Sequence, residues 1–366
     1  MKQILLLAGI ALLCLGDSEG DRLYAQTLPD NSTHTDTLRW LFRIYDDNDF
    51  FNIRGQGTDD AYTNGTRLDY FYQPRHSPKG FINRAMPKAG DSSVNVYGWG
   101  VMQLMYTPDN ICDSAYQPND YPWSGGLFAT HTRYSYNAER HFDFQTELAL
   151  GVMGPAALDR ETQSLVHHII NYLQPTGWGH QYRNDLLLNV NFTVEKQLAS
   201  IGSAVTVIGG GQVYAGSMQN GAAIYPLILI GKMDPYFNGF FSQYSSPGRD
   251  KQHQRWQLYG FIKPELQLFL TNALLQGGIF TTNPNLKQPP SDGKSPTASS
   301  NQDNADNGAG EPQPYHPLQH LLTSIDYGAV LTHGRFGISF SQNVSEAMLK
   351  GLYCHDFGNI TVLYGW

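Results

Sequence analysis

From residue 38 onward apolar side chains recur at every second position, the period of strands and not of helices. Ile360, Val362, Tyr364 and Trp366 share one face, while Asn359, Thr361, Leu363 and Gly365 share the other. Phe336, Ile338 and Phe340 alternate in the same way with Gly337, Ser339 and Ser341. Leu188, Val190, Phe192 and Val194 alternate with Asn189, Asn191, Thr193 and Glu195. One face is large and apolar; the other is small or polar. The segments run about 9 to 13 residues, beyond the five or six usual in soluble strands and suited to a tilted membrane crossing of about 9 to 11. Twelve are predicted, at 38–46, 61–73, 95–106, 125–136, 141–153, 184–198, 203–216, 221–233, 254–270, 318–331, 335–346 and 354–366. An even number lets a bacterial barrel close, pairing every backbone group as hydrocarbon demands. A terminal aromatic on an alternating strand fits the same picture. The predicted fold is therefore all-β: a closed transmembrane antiparallel barrel of about twelve strands over residues 38–366.

Two segments break the alternation. Residues 158–173 read as a helix, with Leu158, Leu165, Val166, Ile169, Ile170 and Leu173 on one stripe and Asp159 and Glu161 in the first turn. Residues 284–317, rich in Pro, Ser, Asn, Asp and Gly, have the composition of a solvated loop insertion. At the N-terminus Lys2 precedes an apolar stretch from Ile4 to Leu15, too short to cross a bilayer. This reads as a secretory signal, residues 1–25, ahead of a leader at 26–37. Two stretches, 74–94 and 234–253, are long for turns on the inner side of a barrel and raise the question of misplaced strand ends there.

Composition agrees with interleaved faces. Only 15% of the 366 residues are charged, 13% are aromatic, and mean hydropathy is −0.37. So many aromatics exclude a disordered chain, and no run of about 20 apolar residues supports a membrane helix. A net charge of −8 gives no reason to expect nucleic acid. Beyond the signal the cysteines are Cys112 and Cys354, too few for a disulfide framework; whether they pair is left open.

Candidate chemistry gathers in three loops that follow the first, third and fifth strands and so share one end of the barrel. The first carries Asp46-Asp47-Asn48-Asp49, Asp59-Asp60 and Tyr62-Thr63-Asn64-Gly65. The second carries Tyr106-Thr107-Pro108-Asp109-Asn110 and Asp120. The third holds the helix with Gln163 and His167, then Gly177-Trp178-Gly179-His180-Gln181. Gln163 and His167 stand four apart and project from one helix face. A His there suits a general base. Asn48 and Asp49 supply hard oxygen donors of the kind Ca²⁺ takes.

Together Asn48-Asp49-Phe50-Phe51, Tyr62-Thr63-Asn64-Gly65, Gln103 with Tyr106-Thr107-Pro108, Gly151-Val152-Met153-Gly154-Pro155, Gln163 with His167, and Gly177-Trp178 with Gln181 resemble the outer-membrane lipid A 3′-O-deacylase family. The resemblance implies a monomeric barrel in the Gram-negative outer membrane whose site faces the extracellular side. Its reaction would be Ca²⁺-dependent removal of the 3′-linked acyl or acyloxyacyl group from lipid A of lipopolysaccharide. It also implies catalytic roles for His167, Gln163, Asn48 and Thr63, substrate contacts for Tyr62, Trp178 and Gln181, and a Ca²⁺ site at Asp49 with Asn48. The chain departs from the family pattern at Ile111-Cys112-Asp113, where a lysine is missing, and at Asp120-Tyr121-Pro122-Trp123-Ser124-Gly125, which leaves the phosphate preference open. Two other readings remain: a non-enzymatic channel or surface-interaction barrel, and an outer-membrane phospholipase.

Overall fold

The computed structural model describes residues 38–53, 61–246, 255–280 and 316–366. The predicted signal, the leader, Asp59-Asp60 and nearly all of the 284–317 insertion lie outside them. Twelve antiparallel strands close into one barrel, each paired with its neighbour in sequence and the last with the first. They are β1 (Trp40–Asn48), β2 (Ala61–Tyr72), β3 (Val94–Thr107), β4 (Ser124–Asn137), β5 (Phe142–Met153), β6 (Asp185–Ile201), β7 (Val205–Gly216), β8 (Gln219–Lys232), β9 (Trp256–Asn272), β10 (Leu321–His333), β11 (Phe336–Ser345) and β12 (His355–Gly365). Four short helices sit between strands: α1 (Phe81–Ala85), α2 (Asp159–Ile169), α3 (Phe240–Tyr244) and α4 (Ala273–Gln276).

The alternation sets which way each side chain points. Trp40, Phe42 and Ile44 of β1, Leu68 and Tyr70 of β2, Trp99 and Val101 of β3, and Tyr364 of β12 are exposed on the outer wall. Between them Leu41, Phe71 and Leu363 are buried inside. An apolar belt around a polar-to-mixed interior is what a bilayer requires of a barrel. The seam is sealed by the last residue: Trp366 N–H donates to the Trp40 carbonyl at 2.9 Å, and the Trp366 carbonyl accepts from Arg39 and Trp40.

The two long stretches are loops that fold back on the barrel, 233–246 into its lumen and 74–94 against the outer face of β3 and β4, and the strand ends stand close to those predicted. Residues 233–246 carry Phe237, Phe240 and Phe241 into the mouth where β1 begins and β12 ends. There the Phe240 ring stacks on Tyr134 at 4.5 Å and meets Phe71 at 4.7 Å. In the 74–94 stretch the Asn83 and Met86 carbonyls accept from the buried Arg133 guanidinium. At the other mouth α4 inserts Leu274 and Leu275 among Tyr62, Tyr106, Tyr121, Leu318 and Leu349.

Between these apolar clusters lies a charged layer. Arg43 pairs with Asp69 at 2.7 Å, Arg67 bridges Asp69 and Glu147, and Lys263 bridges Glu265 and Asp326, each at 3.0 Å. Side chains therefore fill the lumen at both mouths, which argues against the channel reading. Cys112 and Cys354 are both free and exposed.

Removing the plug tests this account. Phe240→Ala deletes a ring held on two sides, and such truncations cost about 3–5 kcal/mol in soluble cores. The variant is expected to lose heat-modifiable folding at a lower temperature than the parent. In planar bilayers the parent should show no steady conductance, while a barrel in which Phe237, Phe240 and Phe241 are all Ala should conduct.

Candidate functional site

At the loop end of β1 to β3 the apolar outer wall gives way to polar residues. Asp46 and Asn48 continue the outward row of Phe42 and Ile44, and Gln103 and Thr107 continue that of Trp99 and Val101. The Asp46 carboxylate accepts from Asn64 at 3.1 Å and Thr66 at 2.7 Å. Asn48 caps a single 3-10 turn, Asp49–Phe51, its side-chain oxygen accepting from Phe50 N–H at 2.8 Å. Asp49 in that turn is buried.

A β-bulge decides where the next candidate points. The β2–β3 register slips between Tyr62 and Asn64, and a bulge re-aims one side chain relative to the alternation. Thr63 is thereby turned to the outer wall, its hydroxyl 2.6 Å from that of Thr107. Tyr62 is left inside, donating to Asp47 at 3.1 Å and packed against Tyr106 and Phe357. The structure thus parts Tyr62 from Thr63 across the wall, with Tyr62 packed on the lumenal side.

Helix α2 lies against this outer wall, packed on β3 and β4. Gln103 donates to the Ala157 carbonyl at 2.8 Å just before the helix, and Asn184 accepts from Ala156 N–H at 2.8 Å. Leu158, in a left-handed conformation, turns the chain into α2. The predicted stripe faces away from the protein: Leu165, Val166 and Ile169 are exposed, Ile169 by 71%. The buried face is the polar row Asp159, Gln163 and His167, spaced by four. In a soluble protein this would be inside out; against a bilayer it puts the apolar stripe toward hydrocarbon and the polar row toward the wall.

Each member of that row is placed by a neighbour. His167 Nδ1 contacts the Leu173 carbonyl, which can only accept, so Nδ1 carries the proton and Nε2 presents a lone pair. The Tyr172 ring lies edge-on to the imidazole at 5.2 Å. Trp178 Nε1–H donates to Gln163 Oε1 at 2.7 Å, fixing the amide so that its Nε2 donor faces the remaining space. Trp178 itself is buried against Trp123, Met105 and Ile111.

Asp159 is the member that sequence reasoning passed over, noting it only as a first-turn acid. Its carboxylate sits against Gly125 of β4, where any Cβ would overlap it. Both its oxygens, together with Trp123 Nε1, Gln163 Nε2 and Gln181 Oε1, are buried without a hydrogen-bond partner among the described residues. Burial, with Glu161 adding to it, pushes the Asp159 carboxyl up to about 8, so it is neutral at pH 7. The spacing Asp159, Gln163, His167 was the available signal.

The three predicted loops do meet. Thr176 N–H donates to the Ile111 carbonyl at 2.9 Å, and the Thr176 hydroxyl to that of Cys112 at 2.8 Å, tying the third loop to the second. The Thr63–Thr107 contact ties the first to β3. Gln163, His167 and Trp178 thus lie over β3 and β4, with Gln181 next to Trp178, while Thr63 reaches the end of β3 and Asn48 stands at the end of β1. For a metal, Asp46, Asn48 and Asp49 offer oxygen donors only, which suits a hard cation such as Ca²⁺. No three His, Cys, Asp or Glu side chains converge among the described residues, so amide and backbone oxygens would have to complete such a shell.

A family model described as outer membrane protein LpxR matches residues 6–295. Among solved structures, LpxR from Salmonella typhimurium superposes with a TM-score of 0.65 at 15% identity, covering 89% of this chain and 100% of that one. The β domain of the Bordetella autotransporter BrkA reaches 0.36 at 7% identity, covering 90% and 98%. No curated protein matches the chain.

The Asp159 carboxyl gives a stability signature. Its proton is held more tightly in the fold than in the unfolded chain, whose carboxyl titrates near 3.8. Its contribution is full below about pH 4, declines as pH rises toward about 8, and is lost above it. Asp159→Asn removes that titration. Melting temperatures in detergent from pH 4 to 9 should show the variant gaining steadily on the parent as pH rises; parallel curves would contradict a buried neutral acid.

Proposed function

The chain belongs to the LpxR outer membrane protein family, and from that membership and the buried polar row of α2 we propose that it is an outer-membrane lipid A deacylase. It hydrolyses the 3′-linked acyl or acyloxyacyl ester, with the loop end of the barrel extracellular. The observation that carries this reading is His167, a base of fixed tautomer between a lipid-facing helix and the outer wall. A substrate whose chains never leave the bilayer can reach such a site sideways.

His167 Nε2 takes a proton from water as the water oxygen attacks the ester carbonyl carbon. The tetrahedral oxyanion needs donors aimed at it, and the Gln163 amide, held by Trp178, is one. When the intermediate collapses, the carbon–oxygen bond to the sugar breaks and the imidazolium returns its proton to the leaving alkoxide. Thr63, turned outward by the bulge, and Gln181 line the approach. Asp49 with Asn48 would hold Ca²⁺, which when bound supplies Lewis-acid polarisation of the ester carbonyl. The lysine missing near Cys112 leaves phosphate recognition to other groups.

Fatty-acid release from purified lipid A in detergent tests the proposal. His167→Ala is expected to reduce turnover about 10²–10⁴-fold, the range of a general base. A chelator should abolish release and added Ca²⁺ restore it. Release that survives both treatments would remove the mechanism, and release from phospholipids alone would convert the reading to a phospholipase.

A further inference from the structure

A strongly basic stretch joins β2 to β3. Residues 73–90 carry Arg75, Lys79, Arg84 and Lys88 and no acid, in a protein whose net charge is −8. All four cations are exposed, and among the described residues none of them enters an ion pair. Beside them α1 holds out two apolar side chains, Phe81 exposed by 85% and Ile82 by 45%. Unbalanced positive charge around an exposed aromatic is the pattern of a segment that lies in a membrane interface.

The fold holds the stretch at the height where such an interface would be. On the outer wall at the end where β1 begins, aromatic rings follow one another from strand to strand. Tyr364 lies 6.1 Å from Trp366, Trp366 6.1 Å from Tyr70, Tyr70 6.2 Å from Tyr72, and Tyr72 5.9 Å from Tyr97. A girdle of this kind marks the headgroup level of a bilayer. Tyr70, Trp99 and His131 stand opposite one another on β2, β3 and β4, and His131 Nε2 lies 2.9 Å from the Asn83 side-chain oxygen of α1. Further along, Ala89 N–H donates to Ser135 Oγ at 2.9 Å and the Ala89 carbonyl accepts from Asn137 at 2.7 Å. Met86 and Ala89 are buried by this docking, so one side of the stretch is fixed to the wall and the other is left with Phe81, Ile82 and the cations.

We propose that residues 73–90 are a docking surface for the headgroups of anionic glycerophospholipids. Phe81 and Ile82 enter the bilayer beside the girdle, and Arg75, Lys79, Arg84 and Lys88 take the lipid phosphates. Charge selects the headgroup: a zwitterionic lipid brings its own cation to its phosphate, whereas an anionic one leaves the phosphate to the protein. The choice of phospholipid over lipid A rests on the orientation proposed above, which puts this end of the barrel in the periplasmic leaflet. The surface is at the opposite end of the wall from the loops that carry Asn48, Thr63 and His167.

The test is photolabelling of the whole protein in phosphatidylcholine nanodiscs doped with either phosphatidylglycerol or phosphatidylcholine bearing the same diazirine near the headgroup. A several-fold excess of the anionic probe on residues 73–90 is expected. Replacing Arg75, Lys79, Arg84 and Lys88 together by Gln should bring the ratio of the two probes to one, with heat-modifiability reporting folding. In the parent, salt at about 1 M, where the screening length is about 3 Å, should collapse the excess without any substitution. Equal labelling by the two probes, or an excess unchanged by salt or in the folded variant, overturns the proposal. So does displacement of the label by soluble glycerol phosphate at the probe's concentration, which would make this a site for free phosphate. The leaflet is read in intact cells from Lys79→Cys in a Cys112→Ser, Cys354→Ser background. The thiol is expected to resist a membrane-impermeant maleimide until the outer membrane is opened; reaction in intact cells would set the surface beside lipid A and overturn the choice of phospholipid. Fatty-acid release on the same samples reports separately on the His167 site.

Discussion

Everything in this barrel follows from the rule that backbone polar groups must be paired where hydrocarbon offers no partner. Twelve strands satisfy it only by closing, and the closure runs through the last residue, since Trp366 exchanges hydrogen bonds with Arg39 and Trp40 across the β1–β12 seam. Closure then fixes the alternation: one face must suit lipid, and the other must fill a lumen too narrow to leave empty. Two inter-strand segments become plugs for that reason, bringing Phe240 and Leu274 into the two mouths. The charges that remain inside neutralise one another, as Arg67 does between Asp69 and Glu147. A lone ion at those positions would carry an uncompensated desolvation cost.

With the lumen filled, polar chemistry meant for a lipid substrate has to be on the outside, where it would ordinarily be penalised. Helix α2 answers this by shielding it. Its exposed Leu165 and Ile169 cover the polar row, and Trp178 with Trp123 packs beside Gln163. Hydrogen bonds formed in so dry a place count for more than in water, which is why the tautomer of His167 and the rotamer of Gln163 are each fixed by one well-chosen partner.

Most of the fold was legible because period two is a local signal repeated twelve times. The plugs were not: nothing in residues 234–246 distinguishes aromatics folding into a mouth from aromatics ending a strand, since the difference lies in contacts with Phe71 and Tyr134 far away in sequence. The site was legible in its outline, from Gln163 and His167 at helical spacing. Two details were hidden. The bulge that turns Thr63 outward and leaves Tyr62 inside is a register effect, invisible until β3 is in place. The helix was legible as an apolar stripe, but not which way that stripe faces, because a bilayer reverses the rule that holds in water.

The same reversal explains Asp159. On a soluble helix a first-turn acid is a solvated partner of the helix dipole, and its sequence position suggests nothing more. Here the polar face is the buried one, so the residue that favours the helix N-terminus is carried under the helix and pressed against Gly125. A charged group so placed would oppose packing; a neutral acid can both give and accept a hydrogen bond. Trp123 Nε1 and Gln163 Nε2 are donors, and Gln181 Oε1 is an acceptor. That mixture matches a group with hydroxyl character better than a cation, and it separates this pocket chemically from the oxygen-only set at Asp46, Asn48 and Asp49. The two polar sets are thus unlike, one suited to a hard ion and one to a hydroxyl or water, with His167 at the far end of α2 from Asp159.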